Sequence, residues 1–407
     1  MIKKVSKTLG CYALFFIGGI LSLILLLVAW FYATCPVYTF EEPKPFAGSS
    51  FYNPYQNIDV DGWRKCIFHL HSKSWGGATN GDNTVEEVLE TYQKLKYDVV
   101  AFSNYMSIER TNSNDPLYIP AYEHGYGFNK THQLALGADK VVWRDYLFPQ
   151  NLNQKQHIIN LLKKHSRYVV INHPSRKNSY PPENFKYLSD YDFIEIQNGS
   201  RSSVAEAQWD AALSNGHTAW LIANDDAHST LPSRLQRDIT FVNISELNTG
   251  DEVLERLSQG VAFGIRFPRN KQVTMEEKIR EIELISFPIA IQVCGDSLLQ
   301  IIWQRNMEQI DFIGDSGKRL KTVTNSDSAS YLIRSEDTYV RVKLNSPEGL
   351  VYYLNPIIRG NPVKQSLHSI DKTRTIGKRI IAVMIFGGII ICCIRFFNPR
   401  NKRFVRQ

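Results

Sequence analysis

Cysteine is sparse and poorly placed for cross-linking. Of six in 407 residues, Cys11, Cys392 and Cys393 lie in apolar stretches and Cys35 at the edge of one. Only Cys66 and Cys294 fall in the polar remainder, which excludes a disulfide framework and offers no zinc-ligand spacing. Low complexity is missing as well. A hydrophobic fraction of 43% with 12% aromatics excludes a disordered or collagen-like chain, and the length suffices for two soluble domains. A general basic surface is also absent. Twelve of the 47 Lys and Arg residues cluster at 1–7, 372–379 and 395–407, leaving 35 to face 40 Asp and Glu over residues 8–371. The body is mildly acidic, so a nucleic-acid partner held by phosphate neutralisation is not expected.

Charge is missing from two further runs. Residues 12–33 (YALFFIGGILSLILLLVAWFYA) carry none, and they are long enough to cross about 30 Å of hydrocarbon. The run exceeds the apolar core of a secretory signal, about 7–15 residues, and lacks a small-x-small cleavage site, so an uncleaved anchor is expected. Residues 380–394 (IIAVMIFGGIIICCI) are shorter, and snorkelling by Arg379 and Arg395 would extend them into a second span. Lys3, Lys4 and Lys7, together with the basic tail, place both ends in the cytoplasm and the main body outside the cell membrane. Lys372, Arg374, Lys378 and Arg379 pull the second helix the other way. The expected order is a cytoplasmic N-terminus (1–8), a transmembrane helix (9–34), a stalk (35–60) and an α/β domain (61–270). A β-domain (278–358), a linker (359–378), a second transmembrane helix (379–397) and a basic cytoplasmic tail (398–407) follow.

Within the body, CIFHLH (66–71), YDVVAFS (97–103), YVVIN (168–172), FIEIQN (193–198) and TAWLIAN (218–224) are short apolar runs of the kind buried in parallel sheets. Thr84-x-x-Glu87 is a capping box opening a helix to about Lys96, and helices are expected at 152–166, 203–215 and 251–259. Alternating strands and helices favour an α/β barrel or a doubly wound sheet. From Lys278 the pattern turns to period two (EIELISF, IAIQVC, LQIIWQ, IDFIG, TYVRVKLN, LVYYLN), predicting a small antiparallel β-domain.

The chemistry sits at the ends of the apolar strands. His69 and His71 form an H-x-H, and residues i and i+2 of a strand share a face, so both imidazoles can reach one ion. Glu123 follows YIPAY, His173 follows YVVIN, and Asp226 and His228 follow WLIAN. All six are metal-ligand types where α/β folds place active sites. Arg176, Lys177 and Arg234 lie just beyond these motifs as candidate phosphate clamps. His124 and His132 lie near Glu123; His132 is an alternative further ligand, and a loop histidine bonded to backbone is the preferred reading.

In this order, FHLHSKSWG, YDVVAFSNY, IPAYE, VVINHPS, IEIQNGS and NDDAHS resemble the PHP (polymerase and histidinol phosphatase) superfamily of metal-dependent phosphoesterases, over about residues 65–266. The resemblance implies a distorted (β/α)7 barrel followed by the β-domain. It also implies a metal cluster of Mn, Fe or Zn held by His69, His71, Glu123, His173, Asp226 and His228, and hydrolysis of a phosphate ester. The second motif departs from the family's Asp-His: Asn104 and Tyr105 stand there, two altered metal positions that imply one or two ions rather than three. Two functions are expected to compete. One is a membrane-anchored phosphoesterase acting on a small phosphorylated substrate. The other is a catalytically weakened domain binding an envelope component as a scaffold.

Overall fold

The computed structural model describes residues 2–269, 272–362 and 364–397; the tail expected at 398–407 lies outside the described residues. Helix α1 (Ile2–Thr34) leads into β1 (Tyr38–Phe40), β2 (Phe51–Tyr52) and β3 (Trp63–Ile67). Next come α2 (Val85–Lys94), β4 (Val99–Val100), β5 (Ala121–His124), β6 (Gln133–Ala138), α3 (Leu152–Lys163), β7 (Ser166–Ile171) and β8 (Phe193–Asn198). Then follow α4 (Glu206–Ser214), β9 (Trp220–Asn224), β10 (Asp238–Asn243), α5 (Gly250–Ser258), β11 (Ala262–Arg266) and α6 (Met275–Glu281). The chain ends in β12 (Pro288–Cys294), β13 (Leu298–Gly314), β14 (Lys318–Leu332), β15 (Tyr339–Asn345), β16 (Val351–Leu354), β17 (Ile357–Arg359), β18 (His368–Ile370) and α7 (Lys372–Phe397).

The architecture is mixed α/β in two main sheets. One has the order β5-β6-β7-β8-β9, antiparallel through β7 and parallel from β7 to β9. The other runs β12-β13-β15-β16-β11-β10-β3-β4, and only β3 and β4 are parallel. No closed sheet occurs among the described residues. One seam is spanned by the single bridge Tyr105–Glu123. At the other, the Thr240 hydroxyl donates to Ala223 O at 2.7 Å and accepts from Ala223 N at 2.8 Å, so a side chain stands in for a ladder. The strands around the site are buried throughout, which removes the alternation that would have revealed their direction.

Strands β12 to β16 extend the same sheet through β11 and β16. The segment EIELISF, expected as a strand, begins as the end of α6 and a 3₁₀ turn over Ile282–Leu284. Thr274 and Glu277 form a capping box that starts this helix, a local signal that outweighs the period-two pattern behind it. Strand β14 is polar and largely exposed, so it carried no apolar pattern to read.

Helices α1 and α7 are long and apolar enough to cross a membrane over Phe16–Ala33 and Lys372–Cys392. They lie side by side, with Trp30 packed edge-on against Phe386 at 5.6 Å. Just beyond them β1 pairs with β18, tying both helix ends to the body.

Candidate metal centre

All six candidate ligands meet in one buried cluster where the two sheets abut. His69 and His71 follow β3, and Leu70 between them is bridged to Ala227. Glu123 lies in β5, His173 follows β7, and Asp226 and His228 follow β9. Two carboxylates organise the group. Glu123 Oε1 lies 3.4 Å from His69 Nε2 and 3.1 Å from His173 Nε2, while its Oε2 lies 3.4 Å from His71 Nε2. Asp226 Oδ1 lies 3.3 Å from His69 Nε2, 3.5 Å from His71 Nε2 and 3.4 Å from His228 Nε2.

His132 joins them, with Nδ1 2.8 Å from Glu123 Oε1. It is fully buried immediately before β6, and its ring bonds Glu123 rather than the backbone expected. Antiparallel pairing of β5 with β6 carries it beside Glu123. Gly125, at φ +125°, leaves the room, since a Cβ there would come within 2.7 Å of the His132 ring. Its neighbour His124 is instead spoken for by Gln133 and by Arg144 O, at 2.9 and 3.0 Å. A group missed in the sequence is Glu195 of β8, whose Oε1 lies 2.8 Å from His69 Nδ1 and whose Oε2 accepts the His173 N–H at 2.9 Å. The only signal for it was a carboxylate inside an otherwise apolar run.

The positions that depart from the resemblance do different things. Asn104 is turned to Ser72, accepting its N–H at 2.8 Å and donating to its Oγ at 2.9 Å. Tyr105 stacks on His71, centroids 4.4 Å apart, and lies parallel to His228. Burial and the nearby carboxylates of Glu123 and Asp226 push the Tyr105 phenol up, so it remains neutral. Arg234 lines a cavity of about 270 Å³ with Asp226, His228 and Arg237. Lys177 donates to Phe128 O at 3.0 Å, next to Arg176.

The donor set fits divalent metal. Ligand atoms of His69, His71 and Glu123 lie within 4.8 Å of one another, as do those of Glu123, His132 and His173, of His69, His173 and Asp226, and of His71, Asp226 and His228. Several have no hydrogen-bond partner despite burial: His69 Nε2, His71 Nε2, Glu123 Oε2, Asp226 Oδ1 and His132 Nε2. Orphaned buried polar atoms that converge are costly unless a cation satisfies them. The electrostatics agree. Burial opposes charge on His69, yet Glu195, Asp226 and Glu123 overcome it and hold its pKa well above the ordinary value. Glu123 and Asp226 are held well below theirs by the surrounding imidazoles, against burial. Three buried carboxylates thus call for positive charge at their centre. The backbone is strained at two of the candidates: His173 and Asp226 have φ of +27° and +48°, costing on the order of 1–3 kcal/mol each. The Glu195 carboxylate on His173 N and the His69 carbonyl on Asp226 N, at 3.0 Å, hold them there.

No family model matches the chain, and no curated protein matches it. Among solved structures it is similar to a two-domain protein from Bacteroides vulgatus ATCC 8482 containing a predicted PHP-like metal-dependent phosphoesterase. The two share 15% identity over 75% of this chain and 99% of that one, with a TM-score of 0.39. The candidate metal centre therefore rests on its own geometry.

Proposed function

We propose that the chain is a membrane-anchored, metal-dependent phosphoesterase, with a distorted PHP-like barrel over residues 61–270 carried outside the cytoplasm between two spans. The observation that supports it most is Glu123, one carboxylate shared between two sets of histidines. His69, His71, Glu123 and Asp226 would hold one divalent ion, with His228 beside Asp226. Glu123, His132 and His173 would hold another. Nitrogen and carboxylate donors suit Mn, Fe or Zn. Bound ions of this kind supply a Lewis acid that activates water and offsets phosphate charge.

The protein's own groups supply the rest. Glu195 takes the His69 Nδ1–H and so presents Nε2 to the centre. Asn198 and Ser200 hold the outer oxygen of Asp226 at 3.2 and 2.8 Å, leaving Oδ1 free to face inward. Arg234 and Arg237 place positive charge on the cavity beside Asp226, where a phosphate oxygen would sit. A second reading, a weakened binding module, is favoured by the Asn104–Ser72 bonds, which turn that side chain away from the cluster. Full-length protein in detergent decides between them. The phosphoesterase should contain transition metal and hydrolyse a generic phosphomonoester, and His69→Ala with His71→Ala should remove both properties. Retained metal without turnover would leave the binding module.

A further inference from the structure

Among the described residues of the body, the exposed aromatic side chains are Trp75, Tyr126, Phe128, Trp143 and Phe148, between 42% and 60% accessible. They lie together. Trp75 and Trp143 meet edge-on at 5.9 Å, Tyr126 OH donates to Trp143 O, and Phe128 and Phe148 meet at 6.1 Å. An isolated exposed aromatic needs no explanation, but five gathered on one face mark an interaction surface.

Two attachments say what covers this face. On one side, the segment carrying Trp143 and Phe148 is fastened to the last turn of α1. Arg144 donates to Phe31 O at 2.5 Å and to Thr34 Oγ1 at 2.8 Å, Phe148 N donates to Tyr32 OH at 2.7 Å, and Tyr32 packs edge-on against Tyr146 at 5.2 Å. The aromatic face therefore starts where the apolar helix ends, at the depth where Trp and Tyr are enriched in membrane proteins. On the other side it reaches the metal centre: Trp75 Nε1 donates to Tyr105 O at 2.8 Å, and the Tyr105 ring stacks on His71. Behind Phe128, Lys177 bonds its carbonyl, bringing cationic charge to the path between the face and the cluster.

We infer that this aromatic face lies in the headgroup layer of the bilayer and that the centre beside it takes a phosphate ester carried by a membrane lipid. This rests on the phosphoesterase reading and on the membrane anchor. A lipid-borne phosphate stays at the surface the face rests on, and the cations and the metal centre lie next along that path. A soluble ester would gain nothing from the aromatic residues.

The test uses the full chain in vesicles of phosphatidylcholine and phosphatidylglycerol at three to one. Lipids brominated near the headgroup should quench part of the tryptophan emission, and Trp75→Phe with Trp143→Phe should remove that part. Turnover is then compared between a diacyl phosphomonoester in the vesicle and soluble glycerol phosphate. Phe128→Ser with Phe148→Ser should lower the first on the order of tenfold and leave the second unchanged. If the protein with Trp75→Phe and Trp143→Phe is quenched as strongly as the wild type, the face does not touch lipid, and the inference is overturned in favour of a protein partner. Equal loss on both esters overturns the lipid substrate. Quenching without turnover of either ester sinks the phosphoesterase reading, and the lipid substrate with it.

Discussion

Asn104 is bonded to Ser72 at both ends of its amide, accepting the backbone N–H at 2.8 Å and donating to the hydroxyl at 2.9 Å. It pins the loop that follows His71, and its polar atoms are occupied. Asn104→Asp alone should therefore leave metal content unchanged, since the carboxylate would still face Ser72, whose hydroxyl can turn to donate. Tyr105→His should raise metal content, because it sets an imidazole against His71 and His228. Elemental analysis of the two purified variants separates the positions. A gain from Asn104→Asp alone would show that this side chain faces the ions.

Glu123 serves two groups of histidines, so its loss should exceed that of any one histidine. Glu123→Gln should empty both proposed positions, while His132→Ala should leave His69, His71 and Glu123 together and retain about one ion per chain. Metal-to-protein ratios measured after dialysis check this. Equal ratios in the two variants would mean that Glu123 does not bridge.

Much of the centre was legible because its residues close apolar runs that cannot be anything but buried strands. HLH after CIF, His173 after YVVIN, and Asp226 with His228 after WLIAN are delivered to one place by strand ends. His132 was legible only as an alternative, because its place beside Glu123 depends on pairing between β5 and β6 and on Gly125 making room, neither of which leaves a periodic trace. Glu195 lies in a strand buried on both faces, where alternation does not tell which side chain looks inward. Asn104 shows the opposite limit. Its place in the chain suggested the cluster, but the orientation of its amide was decided by Ser72. In the sheets, the apolar runs told of burial but not of direction, hence the antiparallel pairs around β6 and β10.

Glu195 acts on the ions through His69, so its substitution should alter metal affinity. Glu195→Gln keeps size but removes the charge that favours the Nδ1–H tautomer, and its amide nitrogen would face donors such as His173 N–H and Asn198 Nδ2–H. Metal affinity should fall on the order of 10- to 100-fold. Competition with a chelator of known affinity measures it on the folded variant, and thermal unfolding of the two metal-free proteins gives the separate cost of the donors left without an acceptor, about 1–3 kcal/mol. Unchanged metal affinity in the folded variant would instead make Glu195 a structural carboxylate.

Lys65 gives the chain a pH dependence of its own. The side chain is buried, donating to Leu95 O at 2.8 Å and Gln236 Oε1 at 2.5 Å, with the Tyr97 ring 4.2 Å away. Burial lowers its pKa from 10.5 to about 7, although Asp225 and Asp98 work the other way. Below about pH 7 the ammonium is charged in both folded and unfolded chains, and the full burial penalty applies. Between about pH 7 and 10.5 the unfolded chain holds one proton more than the folded one. Stability should therefore rise with pH through this window, at about 1.4 kcal/mol per pH unit from this group. Lys65→Met has no proton to lose and should lack that part of the slope, while leaving Leu95 O and Gln236 Oε1 short of a donor at a cost of about 1–3 kcal/mol at every pH. Thermal unfolding at pH 7 and pH 9.5 gives the difference directly, with the wild type gaining on the variant as pH rises. Parallel profiles would show that Lys65 keeps its proton in the folded chain across the whole range.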